Sequence, residues 1–178
     1  MAQLFWYFLF YSFMGFLLEQ LYAAVTHAPN QARKCFLFLP LCPVYGFGAL
    51  AILILPQAVR AHPVALFLYG AMSATAVEYA VDFLYDKVCR VRFWDYTGLP
   101  ANLNGRVCLL FSFFWGCLSL PLCYLAHPLV ERIAPPLPLL MPVACLLLAD
   151  GIVTAALLRR HRTTAVLCWR RWETQKRV

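Results

Sequence analysis

Five long apolar runs, separated by polar segments, dominate the order of hydrophobic and polar positions along this chain. Each run is close to the about 20 mostly apolar residues that a helix needs to cross a membrane. The pattern predicts helices over residues 4–25, 35–56, 64–85, 108–126 and 136–158. The predicted fold is therefore all-α, a polytopic membrane helix bundle with about five transmembrane helices.

The second run is interrupted near its start by two prolines, Pro40 and Pro43. Proline is tolerated in the first turn of a helix but breaks a helix interior, because it lacks an N–H and its ring clashes with the preceding turn. We therefore expect a proline-broken second span, in which an extended or re-entrant segment leads into a regular helix that begins near Pro43.

Composition favours a membrane protein over a soluble one. The chain is 63% hydrophobic and 13% charged, whereas soluble domains are about 25% charged. So few polar side chains cannot coat a soluble globule. The segment Met1-Ala2-Gln3 has no basic side chain, and the following apolar run exceeds the about 7–15 residues of a signal-peptide core. The first run is therefore expected to be a retained helix.

Lysine and arginine are divided unequally between the two sides that five spans would create. One side receives only Arg60 and Arg132. The other thirteen belong to the opposite side: Arg33, Lys34, Lys87, Arg90, Arg92, Arg106, Arg159, Arg160, Arg162, Arg170, Arg171, Lys176 and Arg177. Because basic loops stay in the cytoplasm, we predict a multi-pass protein of the bacterial cytoplasmic (inner) membrane, with its N-terminus outside and its C-terminus inside.

This topology divides the chain into a transmembrane bundle over residues 1–158 and a basic cytoplasmic tail over residues 159–178. The tail can lie on the membrane as an interfacial helix. The net charge of +7 is explained by topology and by anionic headgroups, so membrane lipids, and no nucleic acid, are the expected partners. The eight cysteines form no Cys-x-x-Cys pair, and we expect no metal site and no cofactor.

Four of the eight acidic residues lie inside the apolar runs: Glu19, Glu78, Asp82 and Asp150. An ionised Asp at the centre of a spanning helix costs about 2.5–3.5 kcal/mol on insertion scales. These carboxylates should therefore face the bundle interior, where they can be protonated, hydrogen-bonded or paired. Glu78 and Asp82 are four residues apart and share one helix face.

With the predicted orientation, these acids fall in the cytoplasmic half of the membrane, beside the start of the second helix and the connection before the fourth. We predict a polar pocket open to the cytoplasm, in which carboxylates face Arg92, Arg106 or a cationic ligand. The candidate substrate-binding residues are Glu19, Tyr45, Glu78, Asp82, Trp94, Asp95, Tyr96, Asn102, Asn104 and Arg106. No catalytic residue is assigned.

A simpler interpretation exists for each of these features. The acids could staple helices together through hydrogen bonds and ion pairs, which we favour for Asp150 beside Gly151. Trp94 and Tyr96 could be aromatic residues of the membrane interface. Asp95 could cap a helix or a turn.

A series of short motifs runs through residues 11–116. They are Tyr11-Ser12-Phe13-Met14-Gly15-Phe16-Leu17-Leu18-Glu19, Pro40-Leu41-Cys42-Pro43-Val44-Tyr45-Gly46-Phe47-Gly48, Glu78-Tyr79, Trp94-Asp95-Tyr96-Thr97, Asn102-Leu103-Asn104-Gly105-Arg106-Val107-Cys108 and Trp115-Gly116. As a set and in this order they resemble the ABC-transporter type IV family of small bacterial membrane proteins, over roughly residues 7–120. The resemblance transfers most directly to Glu19, Glu78, Trp94, Asp95, Asn104 and Arg106.

The chain departs from the family pattern at four places. Phe16 stands where Trp is usual, Arg33-Lys34-Cys35 where Asn-Arg-Gly is usual, Leu39 where Gly precedes the proline, and Asp86 where a Glu is expected. The resemblance implies an integral membrane transport component with a permease-like role. The sequence contains no Gly-x-x-x-x-Gly-Lys-Ser/Thr phosphate loop, so ATP-driven transport would need a separate ATPase subunit. Five helices are few for a pore, which implies a homo-oligomer.

Two other classes of function stay open. An intramembrane enzyme acting on a lipid or prenyl-type substrate could use the carboxylates, Tyr96 and Arg106 for acid–base chemistry or phosphate recognition. A membrane assembly or scaffold protein would use the same polar face to dock a partner. The sequence has no recognisable nucleophile–base pair and no ATPase motif, which favours a role other than that of an enzyme.

Overall fold

The long apolar runs are helical in the computed structural model, which describes residues 2–26, 35–133 and 137–167. Its helices are α1 (Ala2–Val25), α2 (Pro43–Leu53), α3 (Gln57–Arg60), α4 (Pro63–Cys89), α5 (Leu109–Pro121), α6 (His127–Val130) and α7 (Leu140–His161). A π-helical turn, Leu122–Ala126, joins α5 to α6, and single 3-10 turns lie at Leu137–Leu139 and Thr164–Leu167. The strands are β1 (Asn102–Leu103) and β2 (Val107–Cys108).

The fold is the expected all-α membrane bundle. In the described ranges, four helical segments are long and apolar enough to cross a membrane: Ala2–Val25, Pro63–Cys89, Leu109–Val130 and Leu137–His161. They correspond to four of the five predicted spans, and α4 extends past the predicted end at Tyr85 to Cys89. Residues 168–178 and the basic pair Arg33 and Lys34 lie outside the described residues.

The second apolar run is broken as its prolines predict. Regular helix begins at Pro43 and ends at Leu53, so α2 has 11 residues and is about 16 Å long at roughly 1.5 Å per residue. That is about half of the roughly 30 Å hydrocarbon core. The predicted span over residues 35–56 is therefore too long as a helix, and its first part is non-helical chain.

The non-helical lead into α2 is held by α7. The carboxylate of Asp150 accepts hydrogen bonds from the backbone N–H groups of Leu37 (3.1 Å), Phe38 (3.0 Å) and Leu39 (2.7 Å). Thr154 also donates to this carboxylate, at 3.1 Å. Unsatisfied backbone groups are very costly in a bilayer, and irregular backbone is tolerated there only when it is buried in protein. Asp150, 5% exposed, is thus a staple, as its sequence position suggested.

Small residues let α2 pack closely between its neighbours. A Cβ on Gly46 would lie 2.2 Å from Oγ of Ser12, and one on Gly15 would lie 2.2 Å from Cγ of Tyr45. The backbone N–H of Cys42 donates to the carbonyl of Ser12 at 3.0 Å. The start of α2 therefore meets α1 near the middle of α1, where a bulkier residue could not fit.

The bundle has two ends, which we name after one arginine each. At the Arg60 end, the hydroxyl of Tyr124 donates to the carbonyl of Arg60 at 2.8 Å, and Tyr11 hydrogen-bonds His127 at 3.1 Å. The ring of Tyr7 also packs against that of His127, with centroids 4.9 Å apart. The first half of α1, the α2–α4 connection and α6 therefore meet there. At the Arg106 end, Cys89, Val91, Leu158 and Leu167 pack together. The ends of α4 and α7 and the connection between α4 and α5 lie at this end.

Candidate functional site

Glu78 occupies the centre of the polar cluster at the Arg106 end. It lies on α4 and is 4% exposed. One carboxylate oxygen accepts the hydroxyl of Tyr96 at 2.9 Å, and the other accepts the indole N–H of Trp115 at 3.0 Å. Both donors are neutral. Within the part of the chain that the structure describes, no Lys, Arg or His forms an ion pair with Glu78.

Glu19 approaches the same cluster from α1. Its carboxylate accepts the hydroxyl of Tyr45 at 2.8 Å. The ring of Tyr45 packs against that of Trp115, with centroids 5.1 Å apart, and Trp115 in turn donates to Glu78. Residues of four helices, α1, α2, α4 and α5, therefore converge here.

Asp82, one turn along α4 from Glu78, belongs to an ion-pair network. One of its oxygens accepts a short hydrogen bond from Arg106, and Nε of Arg92 lies 3.5 Å from the same oxygen. Arg106 also reaches Asp86 at 2.6 Å. Asp82 itself is fully buried. An ionised Asp in such a position needs a paired charge, and Arg106 supplies it.

Arg106 is positioned by a tight hairpin between β1 and β2. The backbone N–H of Arg106 donates to the carbonyl of Leu103 at 3.0 Å. The two residues inside this turn have positive φ, 55° at Asn104 and 66° at Gly105. That is the geometry of the type I′ turn, for which Asn-Gly is the preferred sequence. A Cβ at Gly105 would also lie 2.5 Å from Cγ2 of Thr97.

The other candidate residues of this connection mainly organise the connection itself. Trp94 donates its indole N–H to the carbonyl of Arg106 at 2.9 Å. Asp95 accepts the backbone N–H of Thr97 at 3.0 Å, and Asn102 accepts that of Gly105 at 3.0 Å. Asp95 thus has the capping role that was one of its two sequence interpretations.

Electrostatics in the connection follow from these contacts. Burial and the charge of Glu78 raise the pKa of Tyr96 well above its usual value, so this hydroxyl stays a hydrogen-bond donor. The backbone N–H of Thr97 holds the pKa of Asp95 below its usual value. The hydrogen bond to Asp86 raises the pKa of Arg106 further. Arg106 is therefore a permanent cation between carboxylates.

The structure thus brings some of the ten candidate residues into direct contact. Glu19 binds Tyr45, Glu78 binds Tyr96 and Asp82 binds Arg106. Asn104 is exposed; its side chain donates to the hydroxyl of Tyr79 at 3.0 Å, and its carbonyl accepts a hydrogen bond from Arg92 at 3.2 Å. A substrate-binding role for the ten, and a pocket open to the cytoplasm, stay predictions.

Sequence reasoning missed Trp115 as a site residue. It lies 37 residues from Glu78 in the sequence. Its neighbours are phenylalanines, a pattern that is typical of side chains that face lipid or pack in the core. One signal was available, because a buried Trp normally needs an acceptor for its N–H. Asp86, the second partner of Arg106, was also left out of the candidate set.

Fold and cluster define a polytopic helical membrane protein with buried carboxylates gathered at one end of the bundle. The family model described as "Putative ABC-transporter type IV" matches residues 6–157. The match covers most of the chain, and the chain belongs to this family. Comparisons with curated proteins and with solved structures found no match.

Proposed function

We propose that this chain is a permease-like transport component of the bacterial inner membrane, with its N-terminus outside and the Arg106 end facing the cytoplasm. In this role the cluster around Glu78 binds a small polar or cationic solute from the cytoplasmic side. Membership of a transporter family and the spanning helices support the general role.

Glu78 carries the specific part of the proposal. Its neighbour Asp82 has arginine partners, whereas Glu78 receives only the neutral donors Tyr96 and Trp115 among the described residues. A buried carboxylate that lacks a cationic partner is costly, and intramembrane acids of this kind usually mark a substrate or ion pathway. A carboxylate can accept about four hydrogen bonds, so the two donors leave lone pairs of Glu78 that a ligand's N–H groups could use.

The proposal includes two further partners. ATP-driven transport requires a separate ATPase subunit, because the sequence has no phosphate loop of its own. A homo-oligomer would surround a transport pathway with more helices than one small bundle can supply. In the segment Leu137–His161, only 11% of the most apolar 18-residue window is buried within the chain, which leaves ample surface for a second copy.

The test is solute uptake into proteoliposomes that contain the purified full chain, with and without a candidate ATPase subunit. The external solution holds a defined mixture of amino acids, polyamines, ammonium compounds and inorganic cations, and uptake is measured by mass spectrometry. We expect at least one solute to accumulate above the level in protein-free vesicles. Glu78→Gln, which keeps the shape but removes the charge, should lower that rate about tenfold or more.

Glu131→Gln is the matched control, since Glu131 is exposed at the Arg60 end. It should leave uptake unchanged. If the folded wild-type chain moves no solute in either setting, the transport proposal is wrong. If uptake occurs but Glu78→Gln matches the wild type, the assignment of Glu78 is wrong.

A further inference from the structure

We propose that the Glu78 cluster binds a monovalent organic ammonium ion, which sits between Glu78 and Asp82 with its alkyl groups against the rings of Tyr45, Trp115 and Tyr96. This inference rests on the proposed transport role and names the class of substrate that the role would serve.

The first argument is an unfilled acceptor next to Glu78. Oδ2 of Asp82 binds Arg106, but Oδ1 is buried and accepts no hydrogen bond from any described residue. Asp82 as a whole is 0% exposed. Side chains four apart on a helix are neighbours, so this oxygen and the carboxylate of Glu78 lie on the same face of α4. An ammonium N–H group placed between them would satisfy both.

The second argument is charge. Asp82 is already compensated by Arg106 and by Arg92. Glu78 forms no ion pair with any described basic residue, so a cation at this point would supply the opposite charge that Glu78 lacks. A cation between Glu78 and Asp82 would also lie near Arg106, and this guanidinium repels a single positive charge less than a double one.

The third argument is the nature of the walls. Tyr45 and Trp115 pack with ring centroids 5.1 Å apart and a 48° tilt. Tyr96 stacks on Phe111 at 4.6 Å and 19°. Aromatic faces attract cations and also bury alkyl groups. Hard inorganic cations instead require several oxygen ligands, so an organic ammonium ion gains more from these walls.

The fourth argument is the place of Tyr96 in the fold. Tyr96 lies in the connection between α4 and α5, whereas its neighbours in the cluster, Tyr45, Glu78 and Trp115, lie on helices. The backbone N–H of Tyr96 donates to the carbonyl of Gly105 at 2.8 Å. Tyr96 can therefore move away from Glu78 without unwinding a helix. The cation would reach the cluster beneath Tyr96, from the Arg106 end.

The experiment measures binding of n-butylammonium to the full chain in nanodiscs of zwitterionic lipid, by saturation-transfer NMR. Potassium supplies the charge without the alkyl group, and n-butanol supplies the alkyl group without the charge. We expect n-butylammonium to bind at least tenfold more tightly than n-butanol, and tenfold excess potassium should not displace it. Glu78→Gln should weaken binding about tenfold or more, and Glu131→Gln should not change it.

A pair of substitutions tests the aromatic wall at a position outside the helices. Tyr96→Phe keeps the ring and should bind within about threefold of the wild type, whereas Tyr96→Ala should bind more weakly than Tyr96→Phe. Each variant is first shown to keep the wild-type thermal transition.

Two outcomes would overturn the inference. In the first, n-butylammonium binds no better than n-butanol. In the second, potassium displaces it at equal concentration, which would indicate an inorganic cation. The proposed function would survive either result if proteoliposome uptake of another solute still depended on Glu78, so the two proposals can fail separately.

Discussion

Asp150 shows how much one side chain contributes to a broken span. Its carboxylate accepts the three consecutive backbone N–H groups of residues 37–39, and the N–H of Leu37 also donates to Thr154 at 2.9 Å. Hydrogen bonds to a charged acceptor contribute about 1.5–3 kcal/mol each, and a buried donor left without a partner costs about 1–3 kcal/mol. The carboxylate is therefore expected to be essential for the lead into α2.

Replacing Asp150 by Asn should destabilise the protein by about 3 kcal/mol. Asn keeps one acceptor oxygen, but its NH₂ group would point a donor at other donors. The measurement is the midpoint of thermal unfolding in detergent or nanodiscs. Glu131→Gln, at an exposed position, should stay within about 0.5 kcal/mol of the wild type. Equal midpoints for Asp150→Asn and the wild type would contradict the stapling role.

For single residues, the sequence predicted which acidic side chains are buried better than it predicted their hydrogen-bond partners. The cost of charge in lipid led to the expectation that Glu19, Glu78, Asp82 and Asp150 face inward. The last three are at most 5% exposed, whereas Glu19 is half-buried. Their contacts were not predictable. The Asp150 partners are 111–113 residues away in the sequence and the Trp115 partner of Glu78 is 37 away. Only the packing of helices brings such pairs together.

Among the elements, α2 depends most on close approach. Tyr45 of α2 hydrogen-bonds Glu19 of α1, and the distance between the two helices depends on the space that Gly46 leaves for α1. A Cβ there would meet Oγ of Ser12 at 2.2 Å and the carbonyl oxygen of Phe8 at 2.7 Å. The carbonyl belongs to the backbone and cannot turn aside, so α1 and α2 would have to separate.

Gly46→Ala should therefore destabilise the bundle by about 1–3 kcal/mol, the usual cost of overpacking. Gly98→Ala is the matched control, because a Cβ at Gly98 would meet nothing within 4 Å. Both variants would be compared by thermal unfolding in the same detergent. A Gly46→Ala protein as stable as Gly98→Ala would show that α1 and α2 do not pack this closely.

Element boundaries show where local rules suffice. The start of α2 at Pro43 followed from the preference of proline for the first helical turn. The end of α2 at Leu53 could not be predicted in this way, because the residues that follow are also apolar. The hairpin at Asn104 and Gly105 carried a known turn signal, yet a connection that lies between two helices did not suggest strands.

For the whole molecule, the distribution of charge between the two ends decides orientation. In the described ranges, the Arg60 end carries Arg60 and Arg132, and the Arg106 end carries Lys87, Arg90, Arg92, Arg106, Arg159, Arg160 and Arg162. The packing places the first half of α1, through Tyr7 and His127, at the Arg60 end and the end of α7 at the Arg106 end. The predicted odd number of passes would have the same consequence, and it requires that the broken second span counts as one pass.

Because basic residues close to spans are retained in the cytoplasm, the Arg106 end should be inside. A green fluorescent protein fused after Val178 should fluoresce, and an alkaline phosphatase fused after Arg60 should be active, since the first folds only in the cytoplasm and the second only outside. Replacing Arg159, Arg160 and Arg162 by Gln should reduce the bias and produce a mixed population if charge is the cause. The reverse pattern, an active phosphatase after Val178 and none after Arg60, would place the Glu78 cluster towards the outside. A cytoplasmic substrate would then have no direct route to it.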